Sequence, residues 1–235
     1  MAVLFSGVLL YMSVLMGVLA VDQEVRVLLD FGLSFIELMA FAMAAFGAAS
    51  GVLREMETKT IYLILSRPVP RAAFLSGRCL GLIGSTGAAV LAMVLVHLSL
   101  LWLKGWPGQW SYAAALYGIG LKLIIAVVVG ILFSLLSTST LSALTMTTIV
   151  WTLGHFIPEI EFLLPRGAGG PAAVFLQAGA YLLPNLQLLN FRDRLDAPPL
   201  AMPGGELFWI AAGYTLFYST ACFGLAYALF RKREF

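Results

Sequence analysis

The chain has 235 residues, 61% of them hydrophobic and only 11% charged, with a formal net charge of +2. A mean hydropathy of +0.96 excludes a water-soluble globular domain, whose surface needs far more charge. The near-balanced charge gives no basis for a nucleic-acid partner.

Lipid is therefore the solvent for much of the chain, and spanning segments must be helices or a closed barrel. The apolar runs are about 20 residues or longer and lack period-two alternation, which selects helices. The first run, Ala2 to Val21, reads as a span; a signal peptide would need a basic segment before its apolar stretch, and only Met1 precedes Ala2. After the polar stretch Asp22-Gln23-Glu24-Val25-Arg26, a second span is expected over 31–53. The segment 54–78 is the most polar and sharply marked in the chain, and a third span over 79–103 follows it. Lys104 to Trp110, with Pro107 and two glycines, reverses the chain into a fourth span over 112–136. Ser137-Thr138-Ser139-Thr140 turns it into a fifth over 141–157. The connection 158–206 is rich in Pro and Gly; within it Ala172 to Leu189 is apolar but broken by Pro184-Asn185, which predicts an interfacial or re-entrant helix pair. A last span over 207–230 stops at Arg231-Lys232-Arg233.

The expected fold is thus all-α: one polytopic membrane domain of six spans. With both termini cytoplasmic, the inner segments hold Arg54, Lys59, Arg67, Arg71, Arg78, Arg231, Lys232 and Arg233, against Arg26, Lys104, Arg166, Arg192 and Arg194 outside. That bias sets the orientation, and the expected location is the cell (inner, cytoplasmic) membrane, crossed several times.

Four ionisable side chains fall inside predicted spans: Glu37, His97, Lys122 and His155. A charge at mid-bilayer costs about 2.5–3.5 kcal/mol on insertion scales, so Glu37 and Lys122 are candidates to pair or to line a wet cavity at a dimer interface. By the predicted boundaries both lie toward the outer half, where Lys122 could instead snorkel to the headgroups. The pairs Met12/Met16 and Met39/Met43 with the two histidines would suit Cu(I). Methionine is nevertheless a common packing residue and the histidines sit on different spans, so no metal site is predicted. Cys79 and Cys222 stand alone in apolar runs and read as packing residues. Gly47/Gly51 and Gly77/Gly81, continued by Gly84 and Gly87, mark candidate helix contacts.

In 54–78, Ile61-Tyr62-Leu63-Ile64-Leu65 suits one or two helical turns at the membrane surface, and Ser66-Arg67-Pro68 ends them. Val69-Pro70-Arg71 extends the chain toward Phe74 and the third span. A basic inner loop accounts for the arginines but not for a surface helix followed by an elbow stiffened by two prolines.

The run Glu55-x-Glu57-x-Lys59-Thr60-Ile61-Tyr62-x-x-Leu65-Ser66-Arg67-Pro68-x-x-Arg71-x-x-Phe74-Leu75-x-Gly77-Arg78 resembles type-2 ABC transporter permeases, most closely the subgroup associated with multicopper enzyme maturation. Weaker matches are Asp22-Gln23-Glu24 with Asp30-x-Gly32-Leu33, Gly154-His155, Leu183-Pro184-Asn185 and the basic tail. The resemblance implies a permease that dimerises, most simply with an identical copy, and pairs with two separate ATPase subunits. It further implies that Glu55, Glu57, Lys59, Thr60, Ser66, Arg67, Pro68 and Arg71 lie at or near a coupling helix docked on the ATPase. Members usually begin with an amphipathic elbow helix before the first span, and none precedes Ala2 here, so either the start is shortened or docking uses a smaller interface. No G-x-x-x-x-G-K-[ST] phosphate loop occurs, so the expectation is a non-enzymatic subunit without its own cofactor, ATP and Mg being bound by the partner. Two other readings compete: a membrane-embedded enzyme acting on lipids through Glu37, His97, His155 or Lys122, and a non-transporting membrane anchor or assembly factor.

Overall fold

The computed structural model describes residues 4, 7, 8, 10–12, 15, 24–57, 70–163, 171–192 and 205–232. The described residues form helices and connections, with no strand among them. Among the described residues, four helices are long and apolar enough to cross a membrane: α1 (Glu24–Glu57), α2 (Arg71–Leu103), α3 (Trp110–Leu136) and α7 (Gly205–Lys232), which makes the chain a multi-pass membrane protein. Between α3 and α7 lie the shorter α4 (Thr140–His155), α5 (Ile157–Leu163) and α6 (Pro171–Leu182), then a 3-10 turn, Gln187–Leu189. The expected first span, 2–21, falls mostly outside the described residues; those described within it are helical.

Helix boundaries depart from expectation where charged residues continue a helical pattern. α1 starts at Glu24 rather than near Phe31, because Val25, Leu28 and Leu29 extend its apolar stripe toward the core. α2 starts at Arg71, capped by Pro70 in extended conformation, so 71–78 belongs to the helix and not to the preceding connection. Proline suits that place, since its missing N–H would lack an intrahelical partner there anyway. α4 has 16 residues, about 24 Å at 1.5 Å per residue, short of a hydrocarbon core of about 30 Å.

α3 is the central helix: 72% of its most apolar stretch is buried, against 17% in α7. α1 approaches it through the alanine stripe Ala40, Ala44 and Ala48. At Gly130 the helices are so close that an added Cβ would lie 2.7 Å from the Cβ of Ala48, so glycine is required there. Across the bundle Phe74 stacks on Phe230 at 5.7 Å, and the Arg71 guanidinium donates to the Arg231 carbonyl at 2.7 Å. The start of α2 and the end of α7 therefore share one end of the bundle, together with the end of α1, where Arg78 packs over Gly51. Gly47 lies under Leu82 in the same way, whereas Gly77, Gly81, Gly84 and Gly87 face open space. Of the two predicted small-residue seams, only the α1 pair meets a neighbouring helix among the described residues.

The turn between α3 and α4 also sits at that end, and the Ser139 hydroxyl accepts from the Ser142 N–H at 3.2 Å to cap α4. At the opposite end, Gly105 and Gly108 take positive φ (78° and 76°) in the reversal between α2 and α3.

Candidate functional site

The register of three helices brings charged side chains to one depth. From Leu136 back to Lys122, and from Gly51 back to Glu37, is fourteen residues, about 21 Å of helix in each case. From Thr140 up to His155 is fifteen residues, about 22 Å. The shortness of α4 thus ends it at mid-bundle, with His155 level with Glu37 and Lys122. Both charged residues lie one residue from the centre of their candidate spans, Val25–Gly51 and Trp110–Leu136, and not toward an outer half as the predicted boundaries implied.

Lys122 Nζ donates to Glu37 Oε1 at 2.6 Å, with side-chain exposures of 2% and 12%. Lys122 is buried against the carboxylate and does not snorkel. His155 completes the cluster: its Nδ1–H donates to the Trp151 carbonyl at 2.9 Å. That bond leaves Nε2 as the acceptor in a neutral ring, and Nε2 accepts from Lys122 Nζ at 3.3 Å. Nε2 is also 3.3 Å from Glu37 Oε1, a contact that becomes a hydrogen bond only when the ring carries a second proton. Trp151, stacked on Phe41 at 4.5 Å, fixes the histidine's level.

A fourth polar group comes from the connection 183–192. Leu186, Leu189 and Phe191 are buried, with Phe191 stacked on Phe208 at 5.1 Å. The Leu186 N–H donates to the Gly154 carbonyl at 3.0 Å, and the Asn185 N–H donates to the Tyr214 hydroxyl at 2.6 Å. The Leu189 carbonyl packs directly on Gly118, where any Cβ would collide with it. Asn185 Oδ1 accepts from the Leu188 N–H at 3.1 Å and so organises the 3-10 turn. The segment after Pro184 therefore packs against the bundle and carries Arg192 inward. Arg192 Nη1 donates to Ser34 Oγ at 2.7 Å and lies 3.9 Å from Glu37 Oε2. The sequence reading placed Arg192 among external loop charges; its apolar neighbours Leu189 and Phe191 pull it into the bundle instead.

These groups line a cavity of about 600 Å³ whose polar wall is Ser34, Glu37, Lys122, His155, Gln187, Asn190 and Arg192. Leu38, Phe41, Trp151 and Phe156 form its apolar wall, and Thr148 and Thr152 line its edge. The cavity opens between α1 and α4. The outer face of α4 there carries a row of exposed threonines, Thr145, Thr148 and Thr152, beside a second groove of about 410 Å³.

Of the four intramembrane candidates, three converge and one does not. His97 is fully buried elsewhere, over Gly32, with Nε2–H donating to the Leu28 carbonyl at 3.3 Å and Nδ1 accepting from the Tyr112 hydroxyl at 2.9 Å. Both ring nitrogens are satisfied, so His97 packs and ties α2 to α1 and α3. Met39 and Met43 pack against the core, and among the described residues no group of three His, Cys, Asp or Glu side chains could hold a metal ion. Cys79 and Cys222 are buried free thiols.

Of the residues expected at a coupling segment, Glu55 and Glu57 lie in the last turns of α1 and Arg71 in the first turn of α2. Lys59, Thr60, Ser66, Arg67 and Pro68 lie outside the described residues. Sequence reasoning missed Ser34, Gln187, Asn190 and Arg192 as cavity residues. Their signal was the interleaving of polar Gln187, Asn190 and Arg192 with apolar Leu186, Leu189 and Phe191 in a supposed external loop.

No protein-family model matches the chain, and a search of the curated proteins returns no match.

Proposed function

We propose that this chain is the transmembrane permease subunit of an ABC transporter, working as a dimer with two separate ATPase subunits. The observation that carries the reading is the charged cavity at mid-bundle, open between α1 and α4. Burying ions at that depth is costly, and evolution retains them chiefly along substrate or ion pathways. Two copies meeting at their α1–α4 faces would enclose one path between them.

In this reading the end of the bundle bearing Arg71, Arg78, Arg231 and Lys232 faces the cytoplasm, in keeping with the positive-inside bias. The segment from Glu55 to Arg78, whose residues resemble the type-2 permease pattern, receives the ATPase there. Closure of the ATPases on nucleotide shifts the permease between two states that expose the cavity to opposite sides; the shift equals the difference in nucleotide affinity for those states. The test is purification of the chain from its own membrane in mild detergent. A nucleotide-hydrolysing protein should come with it in equal copy number. A complex devoid of such a protein, or lipid turnover by the isolated chain, would overturn the reading.

A further inference from the structure

The charges lining the cavity do not cancel. Lys122 and Arg192 supply two positive charges and Glu37 one negative, so the described lining carries +1 with His155 neutral and +2 with it protonated. Lys122 and Glu37 satisfy one another. Arg192 is served by a serine hydroxyl at 2.7 Å and only distantly by the carboxylate at 3.9 Å. Among the described residues its Nε and Nη2 have no hydrogen-bond partner, and a guanidinium so placed favours a flat, two-oxygen acceptor. Leu38, Phe41, Trp151 and Phe156 add apolar surface to the same lining. A volume of about 600 Å³ suits a ligand of small-molecule size.

We propose that this cavity binds an anionic amphiphile, with a carboxylate, sulfonate or phosphate head at Arg192 and the His155–Lys122 edge and an apolar body along Phe41, Trp151 and Phe156. As a statement of the transported substrate class, the proposal rests on the reading of the cavity as the permease pathway. Glu37 has a double part in it. It neutralises Lys122 and holds its Nζ, and at the same time it repels the incoming anion, which keeps an empty site from retaining its ligand too tightly.

The test is calorimetric titration of the purified full chain in non-ionic detergent with phenylbutyrate, phenylbutanol and phenylbutylamine, which share one apolar body. The carboxylate should bind about 10-fold or more tightly than the alcohol, and the amine most weakly. Arg192→Gln should weaken the carboxylate about 10-fold and leave the alcohol unchanged. Glu37→Gln keeps an acceptor for Lys122 but removes the repelling charge, so carboxylate binding should tighten several-fold. A purely structural Glu37 would weaken binding instead. Should Glu37→Gln fail to fold, Arg192→Gln carries the test, because its side chain is 30% exposed and its loss uncovers no buried charge other than one already paired.

Phosphatidylglycerol added to the micelles distinguishes the source of the natural ligand. Displacement of phenylbutyrate assigns it to the bilayer and absence of displacement to a free solute; both outcomes uphold the anion site. Equal affinity for the three probes, preference for the amine, or weaker carboxylate binding by folded Glu37→Gln would overturn it. The titration needs neither nucleotide nor ATPase, so a failed anion site leaves the transporter reading standing. Conversely, an anion site in a chain without an ATPase partner would refute only the transport role.

Discussion

Replacing Lys122 by Met leaves Glu37 in the bundle at 12% exposure with His155 at 3.3 Å and the Arg192 guanidinium at 3.9 Å as its remaining neighbours in the cluster. Replacing Glu37 by Leu instead takes the carboxylate away from the Lys122 ammonium, 2% exposed, which keeps its contact with His155 Nε2 at 3.3 Å. Removing one partner of a buried ion pair costs about 3–5 kcal/mol. The residual partners place Lys122→Met at the low end of that range and Glu37→Leu at the high end. The double variant Glu37→Leu/Lys122→Met strands neither charge and fills the space with apolar atoms, so its stability should return to within about 1 kcal/mol of the parent. The cycle then gives a coupling of several kcal/mol, far above the roughly 0.6 kcal/mol average for interhelical hydrogen bonds in a membrane bundle. The assay is denaturant unfolding in detergent micelles followed by far-ultraviolet circular dichroism. Additive losses, or single variants within about 0.5 kcal/mol of the parent, would mean that water solvates both charges and would refute the buried-pair argument.

Gly32→Ala drives a methyl into the buried His97 ring and should destabilise by about 1–3 kcal/mol, whereas Gly120→Ala, with open space around it, should change stability by less than about 0.5 kcal/mol in the same unfolding assay. Tyr214→Phe removes the acceptor of the Asn185 N–H; it should cost about 1–3 kcal/mol and raise hydrogen exchange at residues 185–189, and unchanged exchange would contradict the stapling of this segment to α7. In the proposed complex with an ATPase, Arg67→Glu should abolish substrate-stimulated ATP hydrolysis while sparing folding of the chain. Arg71→Glu should do the same and also lower stability, since Arg71 bonds the end of α7. Intact coupling in both would remove the docking role of the 54–78 segment.

The helical, membrane-embedded class was legible because lipid leaves the backbone few choices and the apolar runs are long. Boundaries at Glu24 and Arg71 were less legible, since helices run past their apolar stretch when Val25, Leu28 or Phe74 still finds core to bury. Glu37 and Lys122 stood out because an ion within an apolar run demands an explanation, and their pairing needed only that two helices share a register. His97 and His155 looked alike in sequence. What separates them is tertiary: one ring is enclosed over Gly32, the other stands at the end of the 16-residue helix α4, level with Glu37 and Lys122. The contact of Arg192 with Ser34 and Glu37 was not legible because it depends on contacts far apart in sequence, among them the Leu189 carbonyl on Gly118 and the Asn185 N–H on Tyr214.

In the proposed transporter the cavity is a pathway whose access is switched by nucleotide. Leu38, exposed at the cavity mouth, can be replaced by Cys beside the buried Cys79 and Cys222, and its labelling by a membrane-impermeant thiol reagent followed in right-side-out and inverted vesicles. Labelling should move from one side of the membrane to the other when the ATPase is trapped with ATP and vanadate. Labelling that keeps the same sidedness with and without nucleotide would contradict the account.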